Sequence, residues 1–106
     1  MATWTDVGAS TLVTAGGIPR RVDVEGFEVV IWRTADGVIA ALDDRCAHHE
    51  IRLSLGVIVD DCIVCPAHGW TFDRDGWTVP MATVRVQPWE VREVDGRIEV
   101  DADSGG

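Results

Sequence analysis

All the cysteines and histidines of this chain lie between positions 46 and 68: Cys46, His48, His49, Cys62, Cys65 and His68. Four of them fall into two short boxes, Cys46-Ala47-His48 and Cys65-Pro66-Ala67-His68, separated by residues 49–64. An odd cysteine count argues against a disulfide framework. A mixed cluster of thiols and imidazoles argues for a metal. The fold therefore has to present two loops whose tips can face each other around one centre. Few architectures do that within 106 residues.

The rest of the chain reads as short strands. Gly follows an acidic residue at Glu25-Gly26, Asp36-Gly37, Asp75-Gly76 and Asp95-Gly96, each between apolar or alternating segments, which is a hairpin signal. Phe27, Val29 and Ile31 alternate with Glu28, Val30 and Trp32. Val38–Leu42 is a short apolar run that suits a strand covered on both faces. Cys62–Val64, Trp70–Phe72, Trp89–Val91 and Arg97–Val100 read as further strands. No window carries a sustained 3.6-residue apolar period, so very little helix is expected. The tail from Asp101 to Gly106 is acidic and Gly-rich, and is expected to fray. Length allows one domain, and a chain that is 46% hydrophobic with five Trp and two Phe can build a modest core. The expectation is an all-β domain with the metal window inserted near its middle.

Charge narrows the partners. Eighteen acidic residues against nine basic ones leave a net charge of −9. Such a surface repels phosphate backbones and anionic lipid, so neither nucleic acid nor a membrane is an expected partner. The longest apolar stretches fall far short of a membrane span, and residues 1–20 lack a basic start followed by an apolar run. A cytoplasmic protein is expected.

The two boxes also carry a resemblance. Two thiolates bring two negative charges, which offset the positive charge left by two ferric ions and two sulfides. Two imidazoles complete the donor set of a Rieske-type [2Fe–2S] centre. Cys46-Ala47-His48 followed by Cys65-Pro66-Ala67-His68-Gly69-Trp70 resembles the paired ligand boxes of Rieske proteins. The flanks agree: Leu42-Asp43-Asp44-Arg45 before, Leu53-Ser54-Leu55-Gly56 between, Thr71-Phe72-Asp73 after, and a Pro80 segment downstream. The resemblance implies one [2Fe–2S] cluster, with Cys46 and Cys65 on the inner iron and His48 and His68 on the outer, solvent-near iron. It also implies the Rieske fold: antiparallel β-sheets, with a cluster-binding subdomain at about 44–81 set into a base at about 3–43 and 82–100, and 101–106 as tail.

Other readings of the same residues remain open. Cys62 and Cys65 form a C-x2-C pair and, with Cys46 and a His, could hold structural zinc. Against zinc, Cys62 sits in an apolar strand segment where a buried thiol acts as a small hydrophobe. Zinc also leaves Pro66, Gly69, Trp70 and Phe72 unexplained. His49 has the chemistry of a ligand, but adjacent side chains do not both aim at one centre. Glu50, Asp60, Asp61, Asp73 and Asp75 read as a solvated rim, and as a docking patch only toward a basic partner.

Departures from the high-potential Rieske pattern are informative. The positions that carry an extra disulfide in that pattern look like Ile51 and Ala67 here. The Ser and Tyr hydroxyls that donate toward sulfur are replaced by Trp70 and Phe72. The loss of those donors, and the acidic chain, are expected to lower the potential toward about −150 mV. The resemblance then implies a monomeric Rieske-type ferredoxin. It would be an electron carrier rather than an enzyme, docking transiently at the cluster tip with a flavin-dependent NAD(P)H reductase and with the terminal oxygenase of an aromatic-ring dioxygenase system. Met1 opens the chain, and nothing after Val100 could supply a catalytic iron site, which favours a stand-alone carrier. Two alternatives are the Rieske-like small subunit of an assimilatory NADH-dependent nitrite reductase and a zinc-stabilised binding module.

Overall fold

A computed structural model describes residues 2–47 and 51–105. Its nine strands are β1 (Trp4–Ala9), β2 (Arg20–Val24), β3 (Phe27–Arg33), β4 (Ile39–Asp43), β5 (Val57–Val59), β6 (Cys62–Val64), β7 (Thr71–Phe72), β8 (Val91–Val94) and β9 (Arg97–Asp101). They form three antiparallel sheets ordered β1-β9-β8, β2-β3-β4 and β5-β6-β7. Among the described residues the only helical pieces are 3-10 turns at Ser10–Leu12 and Leu53–Leu55.

Strand β3 explains how three sheets share one core. Its Val-Val-Ile-Trp run is buried on both faces. Val30 and Trp32 point into a cluster with Ala40, Leu42, Leu53, Ile63 and Phe72. Val29 and Ile31 point the other way, into a cluster with Val24, Ala41, Ile98 and Val100. The β2-β3-β4 sheet is therefore a middle layer. One face carries the small β5-β6-β7 sheet and the other carries β1-β9-β8. Each large apolar side chain buried this way contributes about 1.5–3 kcal/mol, so the middle layer is the main source of cohesion.

Three two-residue hairpins set the registers. Val24 pairs with Phe27, Val94 with Arg97 and Val59 with Cys62. Each loop has φ > 0 at both residues: Glu25-Gly26, Asp95-Gly96 and Asp60-Asp61. That is the hairpin geometry whose twist matches the strands. The first two were legible as acid-Gly signals. Asp60-Asp61 has no glycine, and two side-chain-bearing residues in the left-handed region cost energy. The base supplies the compensation. Ala35 N donates to Asp61 Oδ1 (2.7 Å) and Trp32 Nε1 donates to the Asp61 carbonyl (3.1 Å). These bonds also clamp the tip of the small sheet to the end of β3.

Two expectations need correction. Strands β1, β2 and β5 lie outside the segments expected to be strands, and the strand expected at Trp89–Val91 is β8, which runs from Val91 to Val94. The tail is not frayed over its described part. Asp101 closes β9 and is buried. Its carboxylate accepts from Thr3 N and Asp103 N, both at 2.9 Å. Ser104 Oγ accepts from Glu90 N (2.8 Å), and Gly105 lies so close to the Trp89 ring that a Cβ there would overlap it. The acidic tail supplies acceptors to Thr3, just ahead of the first strand, a pairing that its composition does not reveal.

Candidate metal centre

Each box occupies a loop with the same closure. Cys46 N donates to the Ile51 carbonyl (2.8 Å) and Cys65 N donates to the Trp70 carbonyl (2.7 Å). In both, the cysteine and the residue five positions later are tied by one backbone bond. The second loop is tightened by Gly69 N to the Cys65 carbonyl (3.1 Å), with Gly69 at φ +72°. Thr71 Oγ1 donates to the Gly69 carbonyl.

The loops are mounted differently. The first leaves β4 through Asp43-Asp44 and returns through the Leu53–Leu55 turn. Asp44 is buried, and its two oxygens accept from Ser54 N (2.7 Å) and Ser54 Oγ (2.6 Å). Arg21 Nε stands 4.0 Å from the same carboxylate. Gly56 then passes so close to the Val64 carbonyl that a Cβ would collide with it, which binds the return of the first loop to the start of the second. The second loop simply extends the β6–β7 hairpin, whose register pairs Val64 with Thr71.

Cys46 and Cys65 are 2% and 1% exposed and belong to one apolar cluster. Ile51, Ala67 and Trp70 pack on its edge. His68 is exposed, on the outward part of the second loop. His48, His49 and Glu50 lie outside the described residues. The structure thus brings Cys46, Cys65 and the His68 loop together, with the thiols inward and the imidazole outward. None of the three cysteines is disulfide-bonded. The Ile51 and Ala67 positions are both apolar packing residues. The Trp70 and Phe72 rings are tilted by 39° to each other, with centroids 6.4 Å apart.

Cys62 does not join this group. In β6 only the middle residue, Ile63, is buried, while Cys62 and Val64 are half-buried on the opposite side. Alternation along the strand puts Cys65 on the Ile63 side and Cys62 away from it. Burial, followed by the negative charges of Asp73, Asp61 and Asp60, pushes the Cys62 thiol up from its ordinary pKa. A protonated thiol on the wrong face is a poor metal ligand, which weakens the C-x2-C zinc reading. Asp73 also departs from its rim assignment: Oδ1 accepts from Asp75 N and Trp77 N and shapes the 73–77 turn.

Sequence reasoning missed the residues that hold the loops. Asp44 and Ser54 gave only a flanking resemblance. Thr78, whose hydroxyl contacts Met81, Thr83 and Val84, gave no signal.

Two loops on a three-sheet β domain, each starting from a buried cysteine, suit the holding of an iron–sulfur cluster. A family model described as the Rieske [2Fe-2S] domain matches residues 3–90, and the chain belongs to that family. Its cofactor is accordingly a Rieske-type [2Fe–2S] cluster. The donor set fits: two thiols walled by apolar side chains on the inner side, and an exposed imidazole on the outer. The chain is 34% identical over 82 residues to the oxygenase subunit of 3-chlorobenzoate-3,4-dioxygenase from Comamonas testosteroni, covering 77% of this chain and 19% of that one. The crystal structure of dicamba monooxygenase superposes with a TM-score of 0.85 at 28% identity, over 95% of this chain and 34% of that one. The ferredoxin of carbazole 1,9a-dioxygenase from Nocardioides aromaticivorans superposes with a TM-score of 0.82 at 30% identity, over 94% of this chain and 98% of that one. A ferredoxin has also been solved in complex with the oxygenase in carbazole 1,9a-dioxygenase; it is 30% identical, with a TM-score of 0.83 over 96% of this chain and 95% of that one. The chain thus spans about a fifth of the curated relative and nearly all of the ferredoxin. No helix among the described residues is long and apolar enough to cross a membrane.

Proposed function

We propose that this chain is a Rieske-type ferredoxin. It takes single electrons from a flavin-containing NAD(P)H reductase and delivers them to the terminal oxygenase of an aromatic-ring dioxygenase system. The observation that carries the reading is the match to the carbazole dioxygenase ferredoxin over nearly the full length of both chains. When bound, the cluster supplies one reversible one-electron change. Cys46 and Cys65 would hold it from the buried side, and His48 and His68 from the solvent side. The buried wall of Leu53, Ile63 and Phe72 keeps water from the thiolates. The paired Cys N–H bonds hold both loops in shape, so little rearrangement accompanies the charge change. The loops and residues 71–81 would form the cluster-binding subdomain at about 44–81, on a base built by the other two sheets.

Purified protein should be red-brown and, once reduced, give a rhombic electron-paramagnetic signal; a zinc module would be colourless. Mixed with a flavin reductase, NADH and a dioxygenase's oxygenase component, it should be required for turnover. A tight complex with a much larger sirohaem or flavin subunit would point instead to the nitrite reductase small subunit. The oxygenase relatives favour a second reading, in which the same domain is part of an oxygenase. The mass of the natural polypeptide separates the two.

A further inference from the structure

The segment 78–83 frames one side of the second ligand loop, and its shape converges on a single hydroxyl. Thr78 Oγ1 donates to the Met81 carbonyl (2.7 Å) and accepts from Thr83 N (3.1 Å) and Val84 N (3.2 Å). The Thr83 hydroxyl lies 3.2 Å away. The backbone of Thr78 also pairs with Val84, and Val79 N donates to the Thr71 carbonyl, so the base of the segment is pinned to β7. Between the two loops runs a groove of about 390 Å³, with Gly69, Trp70 and Thr71 on one wall and Val79, Pro80 and Met81 on the other. Met81 is 71% exposed.

Charge singles this face out. The chain carries 27 ionisable Asp, Glu and Arg side chains (18 + 9), yet residues 62–72 and 76–84 contain none. Charge depletion around exposed apolar side chains marks the centre of a protein interface rather than its rim. The groove also adjoins the His68 loop, the only described part of the chain that offers an outward-facing ligand candidate.

We propose that Thr78 is the positioning residue of the docking face. Its hydroxyl holds the 79–83 segment in the one shape that forms a wall of the groove, and the groove receives an apolar side chain of the oxygenase beside the His68 loop. This rests on the carrier reading above. Thr78 acts through the Met81 carbonyl and the segment backbone. Without the hydroxyl, the Val84 amide loses its acceptor, and the turn is left with the bond from Thr83 N to the Met81 carbonyl (2.8 Å). The segment then samples other shapes, and docking bears the ordering cost.

The test compares the parent with Thr78→Val, which keeps the shape and removes the hydroxyl, and with Thr78→Ser, which keeps the hydroxyl. Amide hydrogen exchange should accelerate at Val84, whose amide donates to the Thr78 hydroxyl, in Thr78→Val and return toward parent in Thr78→Ser. The visible spectrum, paramagnetic signal and midpoint potential should match the parent in both. In reduction of the carbazole dioxygenase oxygenase by dithionite-reduced protein, Thr78→Val should raise the half-saturating concentration about tenfold. The limiting rate should hold, and Thr78→Ser should restore the parent value. Unchanged exchange in Thr78→Val overturns the proposal, as does faster exchange with unchanged half-saturation or a shifted potential. Should the parent itself leave the oxygenase oxidised, the carrier reading fails for that acceptor, and the exchange comparison still judges Thr78.

Discussion

Both carboxylate oxygens of Asp44 are engaged by Ser54, one through the backbone N–H at 2.7 Å and one through the hydroxyl at 2.6 Å. This pair closes the neck of the first ligand loop from inside the protein, two residues before Cys46. Asp44 is 4% exposed, so its bonds cannot be replaced by water without opening the loop. Ser54→Ala leaves one oxygen buried without its donor, at a cost of about 1–3 kcal/mol. We expect that loss as a lower melting temperature and as lower iron content after gel filtration. Ser54→Thr, which keeps the hydroxyl, should recover most of both. Full iron retention in Ser54→Ala would show that the backbone bond alone holds the neck.

Cys62 should be dispensable and unreactive. Its thiol faces away from Cys65, and burial together with Asp73, Asp61 and Asp60 keeps it protonated beyond the ordinary thiol range. Since the thiolate is the reactive form, iodoacetamide at pH 8 should label Cys62 in the folded, cluster-loaded protein far more slowly than a free cysteine. Cys62→Ala, and His49→Gln in the first loop, should retain the rhombic signal. Loss of the signal in either would reopen the ligand assignment.

The midpoint potential should fall near the low end of the Rieske range, about −150 mV. Phe72 is fully buried in the cluster that contains Cys65 and offers no hydroxyl, and the Thr71 hydroxyl is committed to the Gly69 carbonyl. Donors toward sulfur stabilise the added electron. Phe72→Tyr should therefore raise the potential in a redox titration followed by paramagnetic resonance, and Trp70→Ser should do likewise. A parent potential in the positive range, or no rise in either variant, would remove hydroxyl donors as the deciding factor.

How far the sequence could be read follows from what each feature depends on. The ligand boxes and the acid-Gly hairpins are local patterns, and two of those hairpins fall on two-residue loops at Glu25-Gly26 and Asp95-Gly96. The Asp60-Asp61 hairpin was not legible, because its conformation is stabilised by Trp32 of β3 and by Ala35 just beyond that strand. The same holds for Asp44 with Ser54 and for the tail. Each is a polar group whose partner is set by tertiary placement, and no local spacing announces it. Asp73 is the reverse case: it scanned as a surface charge and is a turn acceptor.

The tail makes stability depend on acid. Hydrogen bonds from Thr3 N and Asp103 N hold the Asp101 carboxyl below the usual carboxylate range. A lowered folded pKa contributes stability that is complete above the unfolded value and is lost as pH falls through the folded one. Melting temperature should therefore be flat from pH 7 to about 5 and decline below about 4. Asp101→Asn should melt lower than the parent at pH 7 and lose less of its melting temperature on acidification. An equal decline in both would place the acid sensitivity elsewhere.

Long-range charge and short-range contact should divide the work of docking. Residues 62–72 and 76–84, which frame the groove beside His68, carry no Asp, Glu or Arg, while the chain as a whole carries −9. Charges at a rim steer encounter, and an uncharged centre makes the final contact. On the carrier reading, delivery to an oxygenase with a basic face should slow as salt shortens the screening length from about 10 Å at 0.1 M to about 3 Å at 1 M. The slowing should lie in the second-order rate, since the contact itself is apolar. Glu50→Lys and Asp75→Lys should weaken the rate in the same direction and flatten its salt dependence, with spectrum and potential unchanged. Asp73 is unsuited to this test, because reversing it would break the 73–77 turn. If stopped-flow rates ignore both salt and the two reversals, the apolar face alone recruits the partner, and the acidic surface has no part in recognition.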